Sequence, residues 1–197
     1  MKELEDVFLQ IKNKYVNLLH YVNEYEILFA ENKELDTMIS ETKSSFFSDL
    51  YWLYWNFITI QTCALMDKKI MMGKENLTIP KLIDLIEKLD FECTSSAKLK
   101  LETINEKIGP FKVARNKAFG HYDLESVMSK KEFDRLELDD LKIIFNSIEG
   151  IFNLIEVELG QSTKLYGFRI QTGAMRLLNF IRLGIEKKKE IINRRRQ

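Results

Sequence analysis

Between Leu4 and Leu28 the apolar residues Leu4, Val7, Phe8, Ile11, Tyr15, Leu18, Leu19, Val22, Tyr25 and Leu28 recur largely at steps of three and four. This spacing draws a stripe along one side of an α-helix and does not fit the alternation of a strand. Little in the chain interrupts such helices, since its 197 residues include two prolines and eight glycines. The stretch ENKELDTMISETKS reads as a turn and a short helix. A helix beginning at Ser44 or Ser45 and ending near Asp67 follows. KKIMMGKENL, with Gly73 and Asn76 as breakers, reads as a loop. Thr78 then caps IPKLIDLIEKL, with proline in its first turn. Ser95 or Ser96 is expected to cap the next helix. Pro110 should kink or split that helix at Gly109 before it resumes through FKVARNKAF. LDDLKIIFNSIEGIFNLIEVEL and TGAMRLLNFIRLGIEKKKEIINRRR complete an all-α bundle of five or six helices in a single domain. Residues 1–185 form its body and 186–197 a basic helix end.

Hydrophobic residues at 45% and charged residues at 30% suit a soluble globular protein. Cys63 and Cys93 fit no metal spacing and no disulfide framework, and the first residues contain no apolar signal core. A cytoplasmic location is the expectation. FFSDLYWLYWNFITIQTCALM is long enough to raise the question of a membrane span, but it carries Asp49, Asn56 and Gln61 and is crowded with Tyr and Trp along its middle. A core or dimer-interface helix, and no membrane, is the reading. Trp52 and Trp55, and Tyr51 and Trp55, share faces at helical spacing. Aromatics on several sides predict burial on more than one side. Charge is divided unevenly. Residues 161–197 hold ten Lys or Arg against Glu186 and Glu190, a balance of +8. With 30 basic and 30 acidic groups overall, the rest carries −8.

No glycine pattern cradles a phosphate, no Gly-x-Ser-x-Gly elbow is present, and two histidines so far apart make no zinc helix. Asp139 and Asp140 suit a helix start, where carboxylates meet the positive end of the dipole. His20, between apolar positions, reads as a partly buried, hydrogen-bonded histidine. The stretch VARNKAFGHYD, residues 113–123, is different. If a helix holds to Phe119, Gly120 can serve as its left-handed C-cap. The chain can then turn His121 back toward Arg115, which a straight helix would leave about 240° away. Arginine presents a charged planar fork suited to phosphate oxygens, and histidine exchanges protons near neutral pH. A base and a phosphate-facing cation are what RNA cleavage by its own 2′-hydroxyl requires. The spacing also allows a plain alternative, with Arg115 in a salt bridge and His121 capping the helix.

ARNKAFGHYD resembles the Arg-x(4–6)-His motif of the HEPN superfamily, in which a polar residue commonly follows the arginine. Here Arg115 is followed by Asn116, and five residues separate it from His121. CALMDKK, the loop after it and NLTIPKLIDLIEKL are similar to the segment that precedes the motif in HEPN proteins of the abortive-infection U type. TGAMRLLNFIRLG resembles the helix that closes them, so the likeness spans roughly residues 1–185. The resemblance implies a helical bundle whose homodimer sets two motifs face to face. It also implies a metal-independent endoribonuclease with no cofactor, used in phage defence or in a toxin–antitoxin system. In that scheme His121 is the general base toward the 2′-hydroxyl, Arg115 the phosphate clamp and Asn116 an orienting group. RNA is the substrate, and an antitoxin protein is a further candidate partner. Toxins paired with nucleotidyltransferase antitoxins often carry a tyrosine two places after the histidine. Asp123 stands there, with Tyr122 beside His121, so that regulatory chemistry is not implied. The alternative is a non-catalytic HEPN-like dimer that holds RNA, a nucleotide or a protein. In a third reading the basic end alone binds a partner.

Overall fold

The first apolar stripe becomes helix α1 (Lys2–Phe29), which buries Leu4, Phe8, Ile11, Tyr15, Leu18, Val22, Tyr25 and Leu28. The structure is a computed structural model and describes residues 1–29, 33–42, 45–119, 137–164, 166 and 173–196. After α1 come α2 (Lys33–Thr42) and α3 (Phe46–Leu65), then a hairpin of β1 (Ile70–Met71) and β2 (Lys74–Glu75). Next are α4 (Ile79–Lys88), α5 (Thr94–Lys107), α6 (Gly109–Ala114) and a π-helical turn, Arg115–Phe119. Helices α7 (Leu138–Glu158) and α8 (Gly173–Arg196) finish the chain. The fold class is all-α, as the apolar periodicity predicts. The described residues hold eight α-helices rather than five or six, partly because the chain breaks at Ile108, before Pro110, and so divides α5 from α6.

Contacts divide the chain into two compact units. The first comprises residues 1–18 and 56–166. In its core Tyr15 makes edge contacts with Phe145, Phe152 and Tyr166, while Phe8 meets Phe152 edge-on. Helix α5 packs along α7, which buries Leu141, Ile144, Ile148, Ile151, Phe152 and Ile155. Each such side chain taken out of water contributes roughly 1.5–3 kcal/mol before the entropy of ordering it is counted. Several polar groups inside this core are partnered, although Asn56 Oδ1, Thr59 Oγ1, Thr62 Oγ1, Asn153 Oδ1 and the second Glu156 oxygen are buried with no partner among the described residues. Lys12 reaches Glu156 at 2.6 Å, Tyr166 donates to the same carboxylate oxygen at 2.7 Å, and the Tyr15 hydroxyl donates to Glu149 at 2.7 Å. Burial first, then the Glu149 charge, raise the Tyr15 phenol well above its ordinary range.

The second unit comprises residues 19–55 and 167–197. Leu28, Phe47 and Ala174 form its centre, with Ile39, Leu50, Tyr54, Leu178 and Ile181 packed around them. Tyr25 stacks on Trp55 at 5.2 Å and meets Tyr51 at 5.6 Å. The nearly buried Glu24 accepts from the N–H groups of Gly173 and Ala174 at 2.9 and 2.7 Å, holding the start of α8 by the negative charge its dipole favours. His20 is not partly buried. It lies on the solvent side of α1 with its side chain 58% exposed and its Nε2 3.8 Å from Glu24, because the apolar stripe passes through Leu18, Leu19 and Val22.

Local capping follows the sequence at α4, where Thr78 is extended and its hydroxyl accepts from the Lys81 N–H at 3.3 Å. It does not at α5, which begins at Thr94 rather than behind Ser95 or Ser96. Cys93 stands at the N-cap without a side-chain bond to the N–H groups of the helix, and Glu158 from the end of α7 accepts from the N–H groups of Glu92 and Cys93 at 2.5 and 2.9 Å. Asp139 and Asp140 do occupy the first turn of α7, and Asp140 also meets Lys107 at 2.9 Å. KKIMMGKENL contains the hairpin where a loop is expected, since two-residue strands are too short to display an alternating pattern. Helix α3 buries Phe47, Trp55, Ile58 and Cys63 but leaves Phe46, Trp52 and Leu53 more than half exposed, so its first half is not buried all round. No described helix is long and apolar enough to cross a membrane. Helix α8 runs without a break through residues 185 and 186.

Candidate active site

Arg115 is placed by the two helices that Pro110 separates. Helix α6 is held by Phe111 and Ala114, both buried, and Arg115 follows at its C-cap as the first residue of the π turn. A π turn closes its hydrogen bonds one residue later than an α-helix and occurs frequently at functional sites. The expected helix through Phe119 is therefore α-helical only to Ala114 and widens from Arg115 onward.

Opposite Arg115 lies Asp67, two residues past the end of α3. The last turn there tightens, with Met66 N–H donating to the Cys63 carbonyl at 3.0 Å and Asp67 N–H to the Ala64 carbonyl at 3.4 Å. A carboxylate at a helix C-terminus faces the negative end of the dipole, so Asp67 is ill placed without a cation. Arg115 supplies it. Its Nη1 donates to both Asp67 oxygens, at 2.8 and 3.0 Å, and its Nε donates to Asn116 Oδ1 at 3.1 Å. The two side chains are 23% and 26% exposed, sheltered enough to hold the pair and open enough to admit a ligand. Nη2 has no partner among the described residues, which leaves two guanidinium N–H groups uncommitted. The Cys63 thiol lies close by. Burial pushes it up to about 11, with Arg115 and Lys112 pulling down and Asp67 pushing up, so it is protonated at neutral pH.

Of the sequence-predicted residues, Arg115 and Asn116 are thus joined by a hydrogen bond. His121 lies outside the described residues, with Gly120, Tyr122 and Asp123. Asp67 was not singled out by the sequence. CALMDKK contained it, but nothing local marks an acid whose partner is 48 positions away.

The hairpin begins immediately after Asp67 and belongs to the same unit. Its base is pinned: Asn76 N–H and Nδ2 donate to the Lys69 and Lys68 carbonyls at 2.8 Å each, and Lys69 pairs with Asp84 on α4. Glu75 takes the nearly buried Lys81 ammonium at 2.9 Å.

A family model for the HEPN proteins of the AbiU2 type matches residues 1–171. The match ends just before α8 begins at Gly173, so the likeness of TGAMRLLNFIRLG to a closing helix lies outside it. Comparisons with curated proteins and with solved structures give no match. The model covers the whole first unit, with Asp67, Arg115, Asn116 and His121 inside its bounds, and the all-α fold agrees with it. The chain belongs to the AbiU2 family of HEPN proteins, which ties it to abortive infection.

Proposed function

We propose that this abortive-infection protein is a metal-independent endoribonuclease, acting in phage defence or as the toxin of a toxin–antitoxin pair. The observation that carries the reading is the state of Arg115. Its Nη1 and Nε are fixed by Asp67 and Asn116, while both N–H groups of Nη2 remain free among the described residues. A cation that only tied two helices together would have no need of an uncommitted donor pair at a partly open site. A cation that stabilises charge developing on a phosphate works best when held in place before the reaction, because no reorganisation is then required. Lys112 and Lys117 carry further positive charge beside it.

In the proposed reaction His121 takes the proton from a ribose 2′-hydroxyl. The 2′-oxygen bonds to the adjacent phosphorus, and the bond to the 5′-oxygen breaks as that oxygen takes a proton from water, leaving a 2′,3′-cyclic phosphate and a 5′-hydroxyl. Arg115 holds the equatorial oxygens throughout. The working unit is a homodimer with two motifs at one cleft. Support for self-association comes from the second unit, which exposes Phe46, Trp52, Leu53, Phe180 and Leu183. Exposed apolar surface of this kind marks interaction sites.

The test is cleavage of a mixed cellular RNA pool by wild type and His121→Ala in the presence of EDTA, with product ends mapped chemically. Wild type should leave cyclic phosphates and His121→Ala should lose turnover while remaining a dimer by light scattering. Equal cleavage by both proteins, or cleavage that stops on chelation, would remove the assignment. Absence of cleavage by either would favour the non-catalytic binding dimer.

A further inference from the structure

The hairpin that follows Asp67 has an unusual tip. Ile70 pairs with Glu75 and Met71 with Lys74, which leaves Met72 and Gly73 as a two-residue turn with φ of 52° and 76°. Two positive φ values in such a loop define the type I′ turn, whose first position favours Asn, Asp or Gly. Methionine is disfavoured there because its Cβ crowds the backbone in the left-handed region. The choice is equally poor for solvation, since Met72 is 96% exposed and Met71 is 54% exposed. A residue that is wrong both for the turn and for water points to a role outside the fold, and strain of this kind collects at functional sites.

The two faces of the hairpin differ. Glu75 reaches Lys81 on α4, and the half-exposed Ile70 lines an open groove with Pro80 and Ile83 of the same helix. Met71 and Lys74 form the cross-strand pair on the other face. The acids around the hairpin are already matched. Glu75 and Glu3 meet Lys81, and Asp84 meets Lys69 and Lys88. Lys68 and Lys74 have no acidic partner among the described residues: Lys74 stands beside Met71 on the far face, Lys68 lines the groove at the base of the near one, and the tip between them is apolar.

We infer that residues 68–75 form a finger that grips single-stranded RNA beside the Arg115 site, with Lys68 and Lys74 on phosphates and Met71 and Met72 wedged between unstacked bases. The inference rests on the ribonuclease reading. Apolar side chains, methionine among them, insert between bases as wedges, and the flexible thioether adapts to any base face. From Asp67 the tip lies no farther than about 18 Å of extended chain, so one strand can pass both Arg115 and the finger. A protein partner fits less well. Stable interfaces use about 20–30 residues a side, and this tip offers three exposed apolar side chains between two uncompensated cations.

The test uses the full-length protein and a fluorescent 2′-O-methyl RNA oligonucleotide, which lacks the attacking hydroxyl, with affinity measured by anisotropy across a salt series. Asn at position 72 suits the left-handed turn, so Met71→Ser/Met72→Asn should keep the hairpin and show an unchanged or higher melting temperature. It should bind about tenfold more weakly at every salt concentration, with a parallel salt dependence. Lys68→Ala/Lys74→Ala should also bind more weakly and lower the slope of log affinity against log salt by about 1.4, at about 0.7 per phosphate contact. Equal binding by wild type and Met71→Ser/Met72→Asn overturns the finger while leaving the ribonuclease reading in place. Failure of wild type both to bind the oligonucleotide and to cleave unmodified RNA overturns the two together. Loss of a purified protein partner by the methionine variant, with RNA affinity intact, makes the tip a protein-docking element and also overturns the inference.

Discussion

Two regions of the molecule carry positive charge in opposite ways. At the end of α6 a single guanidinium is fixed by a carboxylate from α3 and by the side chain next to it, and shows only part of itself to solvent. Along α8 many cations lie on an exposed helix. The ion pairs seen there, Lys187 with Glu190 at 2.9 Å and Lys189 with Glu41 at 3.1 Å, join side chains that are each more than a third exposed. Charge of the first kind is directional and can favour a transition state over the ground state. Charge of the second kind is screened by salt and attracts any polyanion. The count of basic residues alone would rank α8 first, but the geometry singles out Arg115.

The strongest way to break this comparison is to remove the fixed cation. Arg115→Ala should lower cleavage by about 10²–10³-fold, the scale seen when one preorganised donor is taken from a developing anion. Arg115→Lys should recover little, because an ammonium cannot hold Asp67 and Asn116 and still present two parallel donors. The measurement is single-turnover cleavage at saturating protein, which separates the chemical step from binding. A lysine variant within a few-fold of wild type would mean that charge alone matters here, as it is expected to on α8.

Asp67→Asn sharpens the same point at smaller amplitude. It keeps the shape but removes the charge that fixes Nη1, so Arg115 should become free to turn. Cleavage should fall about tenfold with RNA affinity unchanged or slightly raised, since a competing carboxylate is gone. Because the pair is about a quarter exposed, its loss should cost stability by about 1–2 kcal/mol, between the values for surface and buried pairs. A variant that loses stability but keeps its single-turnover rate would make Asp67 a purely structural partner.

What the sequence made legible follows the range of each interaction. The stripe of α1, the Thr78 cap with Pro80 behind it and the break at Pro110 are decided within a few residues of chain, and each stands where the pattern places it. A motif of the same short reach points to Arg115 and Asn116, which the structure joins by a hydrogen bond. The cap of α5 comes from Glu158, that of α8 from Glu24, and the anchor of Arg115 from Asp67. In each case a carboxylate satisfies donors from a distant part of the sequence, and no local pattern announces it. Serines stood ready at 95 and 96, yet Glu158 holds the start of α5, because a charged acceptor bonds more strongly to N–H groups than a hydroxyl does. The hairpin was missed for a different reason. Its informative feature is a methionine in a left-handed conformation, and the letters Met-Gly do not specify a type I′ turn as Asn-Gly would.

Glu158 also sets a pH dependence. Burial alone would raise its pKa, but the thiol and N–H of Cys93 and the N–H of Glu92 outweigh that and hold it below the usual carboxylate range. Hydrogen bonds from Lys69 and Lys88 hold Asp84 low as well. A carboxylate whose folded pKa is lowered contributes stability that is complete above its unfolded value, near 4, and is lost as pH falls through the folded value. The starts of α5 and the base of the hairpin should therefore loosen together below about pH 4. Amide exchange at Glu92, Cys93 and Asn76 across that range would follow it, and exchange there that does not change with acid would show that these bonds contribute little.

The smallest effect is expected at the far end of α8. Removing residues 186–197 deletes six Lys or Arg and two Glu. If these cations act only as a diffuse attraction, RNA affinity at low salt should fall several-fold and the slope of log affinity against log salt should flatten. Above a few hundred millimolar salt, where the Debye length is a few ångströms, truncated and full-length protein should bind alike. The single-turnover rate at saturating protein should not change at any salt, because the pairs that Lys187 and Lys189 make in this segment are more exposed than that of Arg115. A slope unaltered by truncation would mean that these side chains face away from RNA altogether. A drop in the single-turnover rate would contradict the comparison itself, since it would place a directional role on a helix end where Lys187 and Lys189 are held by exposed pairs.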